Sequence, residues 1–238
     1  MLFANSLVDG FLKSNFIGQG IVWAQLAGSV VMIAVMIGKW KELGFFKVAL
    51  RRFLYDFSTC RDVMEYYLQR RPAKNSGGLV GIYAQTCERL LKLLTPDVRS
   101  VLQGGAEGSA AMTAREIELV KGACEHALDE EEIRVEHGMG IIATVVALSP
   151  MLGLLGTVWG VLDAFAEMGS AGSANLATIA PSISSALVTT VVGLLIAIPG
   201  VIAFNVMNST IRGITADMEG FVDELMGRIA CEFQGRAA

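Results

Sequence analysis

Hydrophobic positions along the chain cluster into three stretches that contain no Asp, Glu, Lys or Arg: Ser14 to Gly38, Gly138 to Leu162, and a third within Met168 to Ile211. About 20 helical residues, at about 1.5 Å each, cross a hydrocarbon layer of about 30 Å, so each stretch is long enough to span a bilayer. The first begins too late, and lacks the basic flank and cleavage pattern, to be a secretory signal, and it is expected to remain as a helix.

Outside these stretches the pattern becomes amphipathic. "FFKVALRRFLYDF" sets Phe46, Leu50, Phe53 and Phe57 at helical spacing with Arg51 and Arg52 off the stripe, which predicts a helix from Glu42 to Arg70. "RRPAKNSGG" stops it through Pro72 and the paired glycines, and a second helix is expected over Leu79 to Leu94. "TPD" at 95 to 97 reads as a cap and first turn, and "QGGAEGSAAM" as a flexible connection. Thr113 with Glu116 matches a capping box that starts a helix near Ala114. No breaker of similar strength follows, so this helix is expected to run straight into the second span. Met218, Phe221, Val222, Leu225 and Met226 repeat at helical spacing, making the tail an extension of the third span.

The fold class is therefore an all-α integral membrane protein with three transmembrane helices, at 17–38, 138–166 and 176–207, and long helical extensions at 39–137 and 208–238. Composition agrees: 53% of residues are hydrophobic and 18% charged, with a mean hydropathy of +0.52. Basic residues set the orientation. Lys13 alone precedes the first span, whereas Lys39, Lys41, Lys47, Arg51 and Arg52 follow it. Segments 1–16 and 167–175 then lie outside, and 39–137 and the tail lie in the cytoplasm. Residues 39–137 hold fifteen basic and fifteen acidic side chains, a balance that gives no nucleic-acid surface. Cys60, Cys87, Cys124 and Cys231 all fall on the cytoplasmic side without a C-x-x-C pair, and are expected to be reduced structural thiols.

Small residues form two seams. Ser149, Gly153, Gly156, Gly160 and Ala164 share one face of span two, and Ala186, Thr190, Gly193, Ala197 and Gly200 share one face of span three. Such faces allow close backbone approach where lipid leaves packing as a main source of helix association, and they either hold the three helices of one chain together or admit a helix of a neighbouring chain. Thr178, Ser182, Ser185 and Thr189 add a hydroxyl row along span three, suited to an interhelical polar path. Thr157 and Thr190 can either line such a path or bond back to carbonyls of their own helices.

No span carries a charge at mid-depth, and Asp163 and Glu167 sit near the outer end of span two. If the protein moves protons, the buried carboxylate must come from another chain. "GMGIIA" enters a span with no preceding strand, which excludes a dinucleotide fingerprint. "NST" at 208 to 210 lies on the inside, out of reach of glycosylation. His126 and His137 lack ligand-spaced partners, and "DEEE" at 129 to 132 reads as a solvated face. No nucleophile, base, metal or cofactor set lies at depth, which argues against an enzyme. From the residues alone, a passive membrane scaffold is the alternative to a channel subunit.

"ALSPMLGLLGTVWGVLDAF" and "LATIAPSISSALVTTVVGLLIAIPGVIAFN" resemble spans two and three of the ExbB/TolQ subfamily, relatives of the flagellar MotA stator proteins. "LVDGFLKSNFIGQGIVWAQL" looks slightly more like TolQ. The resemblance implies an inner-membrane motor subunit: a homopentamer around two copies of a single-span ExbD/TolR-type partner that supplies the Asp, acting with a TonB- or TolA-type protein. It implies proton passage driving rotation, with Thr157 and Thr190 facing the pore and with Gly153, Gly156 and Gly160 meeting neighbouring subunits. Gly193 belongs to the same set of packing residues, and Pro181 and Pro199 match residues that shape helices. One departure is Ser185, where the subfamily often carries a Glu.

Overall fold

A computed structural model describes residues 16–60, 62–70, 77–93, 112–171 and 176–234, without the side chains of 171, 176–178 and 234. The Pro72 stop, the cap at 95–97, most of the following connection, the flank bearing Lys13, the link at 172–175 and the Thr178 side chain lie outside that description. The described residues form six helices: α1 Phe16–Thr59, α2 Glu65–Arg70, α3 Leu79–Leu93, α4 Ala114–Glu136, α5 Met139–Ala171 and α6 Leu176–Gln234. Among the described residues, three stretches are long and apolar enough to cross a membrane: Phe16–Thr59, Ala114–Ser170 and Ile179–Phe233.

Two boundaries differ from expectation. The first amphipathic segment does not run from Glu42 to Arg70, because α1 continues from the first span and ends at Thr59. Ser58 and Thr59 donate their hydroxyls to the carbonyls of Tyr55 and Asp56, and the Cys60 N–H turns to Phe57, three residues back. Such local bonds compete with the helical ladder and close it without Gly or Pro. The second difference is at Gly138, where α4 and α5 are separate helices. Gly138 takes φ +86, a left-handed conformation costly to any residue with a Cβ, and the His137 N–H bonds to Arg134. The helical run from Ala114 is thus divided by a two-residue turn.

The chain forms two compact units, Met1–Trp40 with Gly138–Asn208, and Lys41–His137 with Ser209–Ala238. The second is built around aromatic rings. Phe53 lies 5.3 Å from the Tyr66 ring and 5.3 Å from Phe221, and the Phe57 and Tyr83 rings are 5.6 Å apart. The Tyr83 hydroxyl donates to the Val63 carbonyl and accepts from the Tyr67 N–H at 3.1 Å, and burial pushes its pKa up. The amphipathic stripes therefore become core: Leu50, Phe53 and Phe57 of α1 and Met218, Phe221, Val222 and Leu225 of α6 are buried, while Phe46 and Met226 are partly so.

Glu131 corrects the reading of "DEEE" as a wholly solvated face. Its side chain is buried, and its carboxylate accepts the Gly78 N–H at 2.8 Å at the start of α3 and the Arg134 guanidinium at 3.3 Å. The capping box is present as read: the Glu116 N–H donates to the Thr113 hydroxyl, and the Thr113 N–H to the Glu116 carboxylate. All four cysteines are free thiols. Burial pushes Cys87 up to about 12 and raises Cys124, so both are held protonated and unreactive.

Candidate functional site

The first unit places α1, α5 and α6 together along the small-residue faces. A Cβ on Gly153 would fall 2.8 Å from the Thr190 Cα, and one on Gly160 would fall 2.5 Å from the Ala186 Cβ. One on Gly156 would strike the Thr189 side chain. These glycines thus meet α6 of the same chain, the contact that a seam holding the helices of one chain together requires. The seam is intramolecular because the small faces of two consecutive antiparallel spans are complementary in register.

Hydrogen bonds fasten this contact. The Thr190 hydroxyl donates to the Gly153 carbonyl at 2.8 Å, crossing between helices. Thr189, 1% exposed, directs its hydroxyl at the Ala186 carbonyl at 2.7 Å with Gly153 as a longer second acceptor at 3.3 Å. Interhelical bonds of this kind contribute about 0.6 kcal/mol on average and up to about 1.7. Thr157 is half-exposed and donates to the Leu154 carbonyl of its own helix at 2.8 Å.

Sequence reasoning missed Gln25. It is 1% exposed, and its Nε2 donates to the carbonyls of Ser149 on α5 at 3.0 Å and Thr189 on α6 at 3.3 Å. Gly193 makes room for it: a Cβ there would lie 2.8 Å from that Nε2 and collide with the Ser149 carbonyl oxygen. One amide thereby ties the three helices together. The available signal was a glutamine inside an apolar stretch, a residue type that holds membrane helices together by bonding across them.

Ser182, Ser185 and Thr189 line a narrow cleft with Gly18, Gly156, Trp159, Gly160, Asp163 and Ala186. Ser185 donates to the Ser182 carbonyl at 3.0 Å, and the Ser182 hydroxyl to the Glu167 carboxylate at 3.0 Å. Ser182, Ser185 and Thr189 of the hydroxyl row are therefore brought together with Asp163 between helices of one subunit, whereas neither Thr157 nor Thr190 lines that cleft. Pro181 and Pro199 stand inside α6, and Pro150, which sequence reasoning passed over, stands inside α5. Each removes one backbone donor from its helix. Among the described residues no group of three His, Cys, Asp or Glu side chains could hold a metal ion.

Large apolar side chains face outward from this unit: Val30 is 69% exposed, Leu154 63% and Ile202 62%. A three-helix unit with that exterior and a hydroxyl-bearing, backbone-close interior is a multi-span membrane subunit that meets lipid or other membrane helices. The chain belongs to the MotA/TolQ/ExbB proton channel family, whose sequence profile matches residues 95–220. The Tol-Pal system protein TolQ of Haemophilus influenzae is 29% identical over 225 residues, covering 92% of this chain and 91% of that protein. The biopolymer transport protein ExbB of Xanthomonas campestris pv. campestris is 36% identical over 121 residues, 51% of this chain and 48% of ExbB. TolQ of Pseudomonas aeruginosa is 38% identical over 122 residues, 51% of each chain. The latter two alignments span about half the length of those relatives.

Proposed function

We propose that this chain is a proton-channel and stator subunit of an inner-membrane energy-transducing motor, coupling the proton motive force to work on periplasmic or outer-membrane partners, as in TonB-type transport or the Tol-Pal system. The supporting observation is a family member whose spans carry hydroxyls along their helix contacts and no carboxylate at mid-depth. In this reading five copies surround a dimer of a single-span ExbD/TolR-type protein, whose membrane Asp accepts and releases the proton. The N-terminus is periplasmic and the C-terminus cytoplasmic.

Thr157 and Thr190 act as hydrogen-bonding groups on the route. With their protons directed to the Leu154 and Gly153 carbonyls, their lone pairs can accept from water or from the protonated partner Asp. Ser182, Ser185 and Thr189 supply further acceptors along α6. A charge crossing about 100 mV releases about 2.3 kcal/mol, enough to exchange one or two interhelical bonds per proton.

Thr157→Ala and Thr190→Ala are expected to assemble with the co-expressed partner at five-to-two stoichiometry by native mass spectrometry, yet to lose proton-driven work. Full activity in both variants would remove these threonines from the route. Function that survives collapse of the proton gradient would favour a passive scaffold.

A further inference from the structure

The Gln25 amide is half satisfied. Its Nε2 has two carbonyl acceptors, but its Oε1, equally buried, has no hydrogen-bond partner. Rotating the amide does not help, because Oε1 would then face the carbonyl oxygens of Ser149 and Thr189. A buried acceptor left unpaired costs about 1–3 kcal/mol, so a donor is required.

The neighbouring cleft lacks hydroxyl donors in the same way. The hydroxyl protons of Ser182, Ser185 and Thr189 are directed to Glu167, to the Ser182 carbonyl and to Ala186, which leaves their oxygens as acceptors beside Asp163. The cleft has room for about one water. Thr189 belongs to both places: it lines the cleft, and its carbonyl holds the Gln25 amide.

We infer that water enters the subunit between α1, α5 and α6 from the Asp163 end and donates to Gln25 Oε1, so that each subunit holds an internal water site that does not include Thr157 or Thr190. The proposal is independent of the motor reading, since it concerns solvent contact and not proton flux.

The test is water-edited solid-state NMR on the full chain in lipid bilayers, with glutamine, isoleucine, valine and serine labelled. Gln25→Met assigns the Gln25 side-chain signal by its loss. In the native sequence, Gln25 Cδ is expected to receive magnetisation from mobile water as early as the exposed Gln69, while Ile21 and Val22, buried on the same helix, stay dark at that mixing time. Transfer to Gln25 as slow as to Ile21 and Val22 would overturn the site. Ser185→Val, which fills the cleft with apolar atoms, should abolish the early transfer while leaving the Gln25 Nε signals in place; early transfer that survives it would overturn the entry route.

Discussion

A single methyl group decides whether α5 and α6 can meet. At Gly156 an added Cβ would collide with Thr189, itself buried, so neither side chain can swing into open space. Gly156→Ala is expected to cost about 1–3 kcal/mol through overpacking. Gly20, with nothing within 4 Å of its Cβ position, should tolerate alanine with no loss. Thermal unfolding of the detergent-solubilised protein compares the two, and an unchanged midpoint for Gly156→Ala would contradict the seam. The same comparison shows how much of the site was legible at this scale. Glycine and hydroxyl spacing marked the faces, but not which helix each would meet. Gln25 passed unnoticed because only its partners, two carbonyls distant in sequence, give it a role.

At the scale of elements, the second unit depends on helix starts. Glu131 holds the Gly78 N–H before α3, and Gly78 can stand there because its φ of +74 suits a residue without Cβ. Glu131→Ala would strand that buried donor and is expected to destabilise the protein by about 1–3 kcal/mol in urea titrations. The start of α4 should depend on pH. The Thr113 backbone N–H, then its hydroxyl, holds the Glu116 carboxyl below its usual 4.5. With the folded value depressed, the cap's contribution is present above pH 4.5 and is lost as the pH falls through the folded value. Glu116→Gln should flatten that part of the stability profile, and an unchanged slope would show that the carboxylate contributes nothing there.

For the whole molecule, the apolar exterior of the first unit and the distribution of basic residues lead to a membrane topology. A fluorescent protein fused after residue 238 should fold and fluoresce in the cytoplasm, whereas alkaline phosphatase inserted near residue 173 should be active in the periplasm. The reverse pattern would invert the proposed orientation. The exterior also bears on the proposed assembly: side chains such as Leu154 and Ile202 can be covered either by lipid or by further copies, and native mass spectrometry with the partner distinguishes these outcomes.

The sequence by itself determined what periodicity and charge control: three spans, the amphipathic stripes that become core, the Thr113 cap and the membrane class. These follow from local helical geometry and the cost of burying charge, which depend on residues a few positions apart. Tertiary structure decided the rest. Whether the glycines of α5 face a neighbour or α6, whether Glu131 is solvated, and whether Gln25 is a lone polar residue or the tie between three helices all depend on contacts between residues 26 to 164 positions apart in the chain. Spacing names the face of a helix, and only the packed neighbours determine what that face touches.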